Sequence, residues 1–569
     1  MDFDTLPCKD FYRFASRKFD PELRQTTFDD LIKKILTDET LSNHIESIKR
    51  VKGIYQQCLK NPKTLIDIGM STKAQNAQTQ INVTFPVKVA DVSDDTGYMK
   101  LLFRMYKILF EYGNEIFIQI KETLEAGYLQ FNVPDNILED SEKEEIWKTY
   151  CQYQGCDPKK IDFASFYPFS GKYKKMNLTD ADHELINDVF GARIDMKFIR
   201  FPVADTVEDR TKLINQLFET WLHTPHVAPP VPCEFYMQYT YPLYINKLLV
   251  DYYKNDTVKF QKLHDNFFNL ANAIVQEAEN TFRFSNVLKD DMKELTLKQV
   301  NGSRFAFFNH SIYEDNNFVE CCNLITEVNP AASVYVNNLR PLAKFNHEKQ
   351  EKYWYLPLVN NDAAHYGNIN GNFFNWGVFM FHLYDNDFPP VITMSGSGWV
   401  MAHELAHAFG TQLRKTSEDY AALLGCLIEF YADQCFPIDP TFCVDPMDTM
   451  EENFADVLGA KWAYLAYKKW ASVVGTGERP RGEYLDTISD DQLFFINMVQ
   501  SMVDLPGWSL YYPGAQHAPR PVRVWGALAN LPSFASAFTC EPGDVYNPGF
   551  RCSLFDGPIK VNKNLTDPQ

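Results

Sequence analysis

The sequence offers little to a membrane, a nucleic acid or a zinc ribbon. No stretch reaches the ~18 apolar residues of a spanning helix, and the opening Met1-Asp2-Phe3-Asp4 is polar, without a signal-peptide core. An extracellular protein of this sequence is expected to take its export signal from outside these residues or by an unconventional route. Basic residues are the minority: 55 Lys and Arg against 74 Asp and Glu leave a net charge of −19. That balance argues against nucleic acid as the main partner, because phosphate binding needs clustered cations. None of the twelve cysteines forms a Cys-x-x-Cys pair, which weakens ribbon and thioredoxin readings. Histidine is also scarce, at twelve residues, and no internal repeat or low-complexity tract stands out.

What is present suits a large folded protein. At 569 residues the chain exceeds the ~250–300 residues at which single cores stop growing, so more than one lobe is expected. An even cysteine count and six Asn-x-Ser/Thr sequons, at Asn82, Asn177, Asn255, Asn301, Asn309 and Asn564, point to an oxidising, extracellular setting and a glycoprotein. Apolar residues at helical spacing run from Phe28 to Leu124 and return from Tyr241 to Leu297, which makes 51–329 a mainly helical lobe. Pro229-Pro230-Val231-Pro232 reads as a loop before one of its helices. Beyond 330, Tyr353–Val359 and Phe373–Tyr384 read as strands and Asn368–Asn372 as turns. Helices are expected over about 398–413 and 452–470, and the Pro- and Gly-rich tail after Asp504 reads as loop.

The chemistry concentrates at His403-Glu404-Leu405-Ala406-His407. Histidines at i and i+4 share a helix face about 6 Å apart, which suits two imidazoles on one zinc ion. Glu404, next in sequence, turns toward the open side, where it can activate a water. Val400, Met401, Leu405, Ala406 and Phe409 suit a buried helix. Zinc needs a third protein ligand. Glu452 and Asp456, also i and i+4, open the second clear helix, so one can bind the ion while the other holds a ligand histidine through its free ring N–H. Glu451 is a neighbouring candidate without an aspartate four residues on. Taken alone, two acids there read as an ordinary negative helix N-terminus.

Several blocks in order resemble the neprilysin and endothelin-converting-enzyme family of gluzincin metallopeptidases. Pro7-Cys8-Lys9-Asp10-Phe11-Tyr12-Arg13-Phe14-Ala15 resembles its opening PCxDFYxFAC. Val400–Phe409 resembles VIGHExTHGFD. Glu452–Asp456 matches ENxAD, followed by the AYxAY-like Ala463–Tyr467. Phe494–Asn497 resembles FFxNFAQ, His517-Ala518-Pro519 with Arg523 resembles HxPxxxR, and Cys540 with Cys552 matches the terminal cysteine pair. The resemblance is most specific over 354–552.

It implies a mainly α fold with a small β-sheet, in two lobes: a thermolysin-like catalytic lobe at 330–569 and the helical lobe at 51–329, enclosing a central chamber. Residues 1–50 would pack on the catalytic lobe. It further implies one Zn2+ per chain, bound by His403, His407 and Glu452. Glu404 would be the general base, Asp456 would orient a ligand histidine, His517 would stabilise an oxyanion and Arg523 would grip a substrate carbonyl. The family's substrate-reading Asn-Ala pair falls at Asp362-Ala363, with Asn360 or Asn361 as alternatives. Val378, Leu383, Trp399, Val400 and Met502 would line an apolar pocket for the residue after the scissile bond. The implied activity is endopeptidase cleavage of short peptides on the amino side of hydrophobic residues, by a monomer or homodimer. A catalytically silent peptide- or receptor-binding relative is the alternative. An aminopeptidase-type gluzincin is a third reading, although Cys426 stands where its third Glu would fall.

Departures are part of the expectation. Gly410 replaces an aspartate after His-x-Phe, the stretch before Glu452 is short, and Ser16 and Val503 replace both halves of one family disulfide. By position, the resemblance implies the bridges Cys8–Cys540, Cys58–Cys233, Cys426–Cys552 and Cys151–Cys156, and leaves Cys321, Cys322, Cys435 and Cys443 without family partners.

Overall fold

The longest helical periodicities become the longest helices. The computed structural model describes residues 1–61, 86–111, 206–223, 232–308, 311–322, 359–410, 418–503 and 515–556, apart from isolated residues, with four short strands and a few single residues between or beside these ranges. Two compact units emerge, one of Met1–Asp30, Tyr253–Phe308 and Val359–Gln569, the other of Leu31–Tyr252 and Asn309–Leu358. As expected, the fold is mainly α with a small sheet.

The first unit is built around α1 (Phe11–Ser16), α2 (Thr257–Arg283), α3 (Trp399–His407), α4 (Met450–Val474), α5 (Asp490–Met502), α6 (Arg520–Ala529) and α7 (Pro532–Phe538). Local chemistry sets several boundaries. The Asp256 side chain accepts from the Lys259 N–H at 3.1 Å to start α2, and Ser489 with Gln492 forms a reciprocal capping box at α5. A three-stranded sheet runs in the order β1 (Arg304–Ala306), β3 (Gly371–Phe374), β2 (Ala363–Tyr366), with β2 antiparallel and β1 parallel to β3. Among the described residues β2 pairs on one side only.

The N-terminal segment packs into this unit through Phe11, whose ring lies 4.7 Å from Phe534 and 4.8 Å from Phe538. The Cys8–Cys540 bridge ties down the same region. Where Ser16 and Val503 replace a bridge, Gln500 Nε2 donates to Ala15 O at 3.0 Å, so a hydrogen bond still joins the two segments. Asp2 is buried and takes an Arg17 hydrogen bond at 2.8 Å. That bond, against the cost of desolvation, holds its carboxyl at about 2. A depressed folded pKa adds stability above the ordinary carboxylate range, and that stability is lost as pH falls through the folded value. The melting temperature of wild type is therefore expected to exceed that of Asp2→Asn at about pH 5, with the gap closing toward about pH 2. A gap that widens with acid would contradict it.

The second unit contains helices Glu46–Lys60, Asp95–Glu111, Val207–His223, Cys233–Thr240 and Pro242–Lys254. Pro232 caps the fourth of these, as its Pro-rich approach suggested. Cys58–Cys233 joins the first to the fourth. Buried Lys247 is neutralised by Asp251 at 2.7 Å and Asp315 at 2.6 Å.

Several expectations need correction. The boundaries at 50 and 329 do not coincide with the two units: 31–50 lies in the second, and 253–308, including α2, lies in the first. Periodicity marks a helix's apolar face but not the core that receives it. The strand expected over 373–384 ends at Phe374 and gives way to a 3₁₀ turn at Trp376–Phe379. Gly377 permits that turn, since a Cβ there would lie 2.2 Å from Asn360 O. The tail holds α6 and α7, because Pro521 and Pro532 sit in first turns, where proline suits a helix. Residues 353–358 apart from Pro357, and Cys151 and Cys156, lie outside the described residues. Cys426–Cys552 forms as implied, and Cys321–Cys322 and Cys435–Cys443 pair with each other.

Candidate metal centre

Helix α3 is entered through a π-helical turn at Met394–Gly398 whose buried Ser395 and Ser397 hydroxyls donate to backbone carbonyls. It crosses α4 at very close range. A Cβ on Gly459 would stand 2.8 Å from both N and Cα of His403, so only glycine lets the two backbones approach this far. Gly459→Ala is expected to cost about 1–3 kcal/mol as an overpacked core. It should also weaken metal binding, because the displaced element carries His403. Urea unfolding and a chelator competition would read the two effects; an unchanged midpoint would count against this packing.

The close crossing brings three side chains together. His403 Nε2 and His407 Nε2 face each other at 3.1 Å. Glu452 Oε2 lies 3.3 Å from His403 Nε2, and its Oε1 3.6 Å from His407 Nε2. All three ligand atoms fall within 4.8 Å of one another. Atoms about 2.0–2.1 Å from a tetrahedral zinc ion stand about 3.3 Å apart, so the spacing fits that ion. Two facing imidazole nitrogens and a half-buried carboxylate are also the donor set zinc takes. Glu452 Oε2 accepts no well-directed hydrogen bond, although His517 Nε2 stands 3.0 Å away.

Behind this triad, Asp456 Oδ1 lies 3.0 Å from His403 Nδ1. Asp456 is itself held by Arg523 through two bonds of 2.7 Å, from Nε and Nη2. Both side chains are buried, and Arg523 Nη2 also lies 3.7 Å from Glu452 Oε2. The expectation for Arg523 was a substrate carbonyl; two of its donors are committed instead to Asp456. Half-exposed His517 sits at the mouth of the cluster.

The titration directions follow from burial and these neighbours. Burial opposes charge on His403, but hydrogen bonds and charge from Asp456 and Glu452 raise it to about 10. Burial first, then the His403 charge, lowers His407 to about 3. Glu404 is raised to about 7, mainly by burial, while His403 and the backbone N–H of His365 oppose the rise. Burial would raise Asp456, yet Arg523 and His403 hold it at about 2. Burial would likewise raise Glu452, which the surrounding histidines hold far below the carboxylate range. Ligation requires neutral imidazoles, so protons and metal compete for this site.

Strand β2 supplies what the motif could not reveal. Since the His365 N–H serves Glu404, it points away from β3. The His365 side chain meets Asn372, its cross-strand partner, with Nδ1 3.0 Å from Oδ1. Ala363 begins β2; Asp362 is exposed, accepts from Asn360 Nδ2 at 2.8 Å and, through its carbonyl, from the Asn375 N–H at 3.1 Å. The space of an absent side chain at Gly410 is taken by Glu451, whose Oε2 would lie 1.7 Å from a Cβ there. Val378, Leu383, Trp399 and Met502 are buried and Val400 is half-buried. Only the alternation of a half-buried strand could have pointed to His365, and β2 is too short to show it.

Residues 363–554 match the model of peptidase family M13. Endothelin-converting enzyme-like 1 of Homo sapiens is 31% identical over 230 residues, covering 37% of this chain and 29% of the relative. Endothelin-converting enzyme 1 of Cavia porcellus is 26% identical over 321 residues, covering 50% and 41%. The chain thus spans less than half the length of these curated relatives. Among solved structures, PepO of Lactobacillus rhamnosis aligns at TM-score 0.66 with 13% identity over 96% of this chain and 98% of that one. The zinc metalloprotease Zmp1 of Mycobacterium tuberculosis aligns at 0.57 with 14% identity over 95% and 96%. These structural likenesses establish the fold.

Proposed function

We propose that this chain, whose residues 363–554 match the model of peptidase family M13, is a zinc endopeptidase that hydrolyses short peptides on the amino side of hydrophobic residues. The observation that carries the reading is the spacing of His403, His407 and Glu452, at 3.1, 3.3 and 3.6 Å. A zinc ion held there supplies a Lewis acid for a scissile carbonyl and an attacking water.

The chain's own groups do the rest. Asp456 takes the Nδ1–H of His403 and so presents Nε2 to the centre. Arg523 keeps Asp456 ionised. Glu404 takes the proton of the attacking water and passes it to the leaving amine. His517, beside Glu452, donates to the oxyanion as it forms. The open side of β2, from Asp362 and Ala363, takes the substrate backbone, and Val378 and Val400 contribute to the pocket for the following side chain. Arg523 backs the site through Asp456, with Nη1 remaining for substrate. The five bridges described here favour an extracellular setting.

Elemental analysis and a broad peptide mixture, including peptides with blocked N-termini, test the reading. One zinc per chain and cleavage of blocked peptides, lost on chelation and regained with zinc, are expected. Bound zinc with no peptide cut would leave a peptide-binding relative instead, for which the exposed Asp362 carboxylate in place of asparagine is the motivating departure. Blocked peptides left intact would indicate an aminopeptidase.

A further inference from the structure

Asn372 is fully buried on β3 and reaches toward both neighbouring strands. Its Nδ2 donates to Arg304 O and to Ser303 Oγ, each at 3.0 Å. A backbone carbonyl can only accept, so the orientation of the amide is set and Oδ1 faces β2. There it meets His365 Nδ1 at 3.0 Å. An oxygen acceptor on that side requires the proton on Nδ1, which leaves Nε2 of the neutral ring bare. The surroundings of Nε2 fit this form, since it is buried and has no hydrogen-bond partner among the described residues. A bare acceptor is tolerated there better than a stranded N–H. Burial also favours the neutral ring.

The bond gains its importance from its place in the ladder. His365 and Asn372 stand directly opposite, and the His365 N–H points away from β3, to the Glu404 carboxylate. In an antiparallel pair such opposed residues exchange no backbone bond and bring their side chains closest. At this register the tie across the strands is therefore the imidazole. β2 is four residues long and packs on α3, which carries Glu404.

We propose that His365 and Asn372 are positioning residues for Glu404. Asn372 fixes the Nδ1–H form of His365, that bond pins β2, and the pinned His365 N–H holds the Glu404 carboxylate in place. Neither side chain touches the reacting atoms. The effect on rate rests on the endopeptidase reading, while the bond itself is open to measurement without any substrate.

His365→Phe keeps a flat ring and the backbone N–H but removes the Nδ1–H donor. His365→Asn restores a donor at the same number of bonds from the backbone. All preparations are zinc-loaded, with metal content and circular dichroism recorded. On peptides that wild type cuts, kcat is expected to fall about tenfold in His365→Phe with KM and zinc unchanged, and much of the loss should return in His365→Asn. In a Glu404→Gln background the same His365→Phe change should have little further effect, because it acts through Glu404. An equal fall in that background, or none in wild type, would overturn the proposal and leave the endopeptidase reading standing. If wild type cuts no peptide, that reading falls and two substrate-free measurements decide the positioning. Nitrogen NMR of histidine-labelled protein, with His365→Asn assigning the signal, should show the proton on Nδ1. Amide exchange at residue 365 should rise about tenfold in His365→Phe. A proton on Nε2, or unchanged exchange, would overturn the positioning role. If His365→Phe does not fold, His365→Leu replaces it under the same criteria.

Discussion

Glu404→Gln is expected to keep zinc at one per chain and to lower peptide cleavage by about 10²–10⁴-fold, the usual worth of a positioned general base. Glutamine preserves the shape of a side chain that is 6% exposed, so the fold and the three ligands should survive. What it loses is the ability to take a proton. Glu404 belongs to α3 but lies outside the ligand set of His403, His407 and Glu452, and the His365 N–H addresses its carboxylate. An amide would meet that N–H with its oxygen and still hold no proton from the attacking water. Metal content and single-turnover cleavage measured on the same preparation give the answer. Loss of zinc would place Glu404 in the ligand set, and undiminished cleavage would remove it from the reaction.

Arg523→Met is expected to destabilise the protein by about 3–5 kcal/mol, because it strips the partner from a buried charge. Asp456 is fully buried and receives both of its Arg523 bonds at 2.7 Å. Without them the partner left to its carboxylate among the described residues is His403. Zinc affinity should fall by about 10–100-fold, since the ligand imidazole loses a firmly held orienting group. The double change Asp456→Asn with Arg523→Met removes the orphaned charge, and much of the lost stability should return while the affinity does not. Urea midpoints and chelator competition separate the two effects. A single variant as stable as wild type would show that the pair contributes no net stabilisation, and recovery of zinc affinity in the double variant would refute the orienting role of Asp456.

Much of this centre was legible in the linear chain, and the reason is local. A helix repeats its face every three or four residues, so His403 with His407, and Glu452 with Asp456, declare a shared side wherever their helices lie. Helices with strong periodicity, such as Thr257–Arg283, and one marked by acids at its start, Met450–Val474, were equally readable.

Other features belong to tertiary structure. The sequence alone carries no sign that Gly459 must be glycine to admit the His403 backbone, which a Cβ there would meet at 2.8 Å. It does not indicate that Arg523, 67 residues beyond Asp456, ends in its carboxylate. It does not place His365 against Glu404, or the Glu451 carboxylate in the space left at Gly410. Nor does it assign Tyr253–Phe308 to the unit that carries the metal centre. The sequence by itself grouped the candidate donors into two pairs, His403 with His407 and Glu452 with Asp456, because each pair recurs within a single helix. The packing of α3 on α4 and β2, and of α6 on α4, decided how each donor is oriented, charged and backed, because contacts between distant segments depend on which faces meet and how closely.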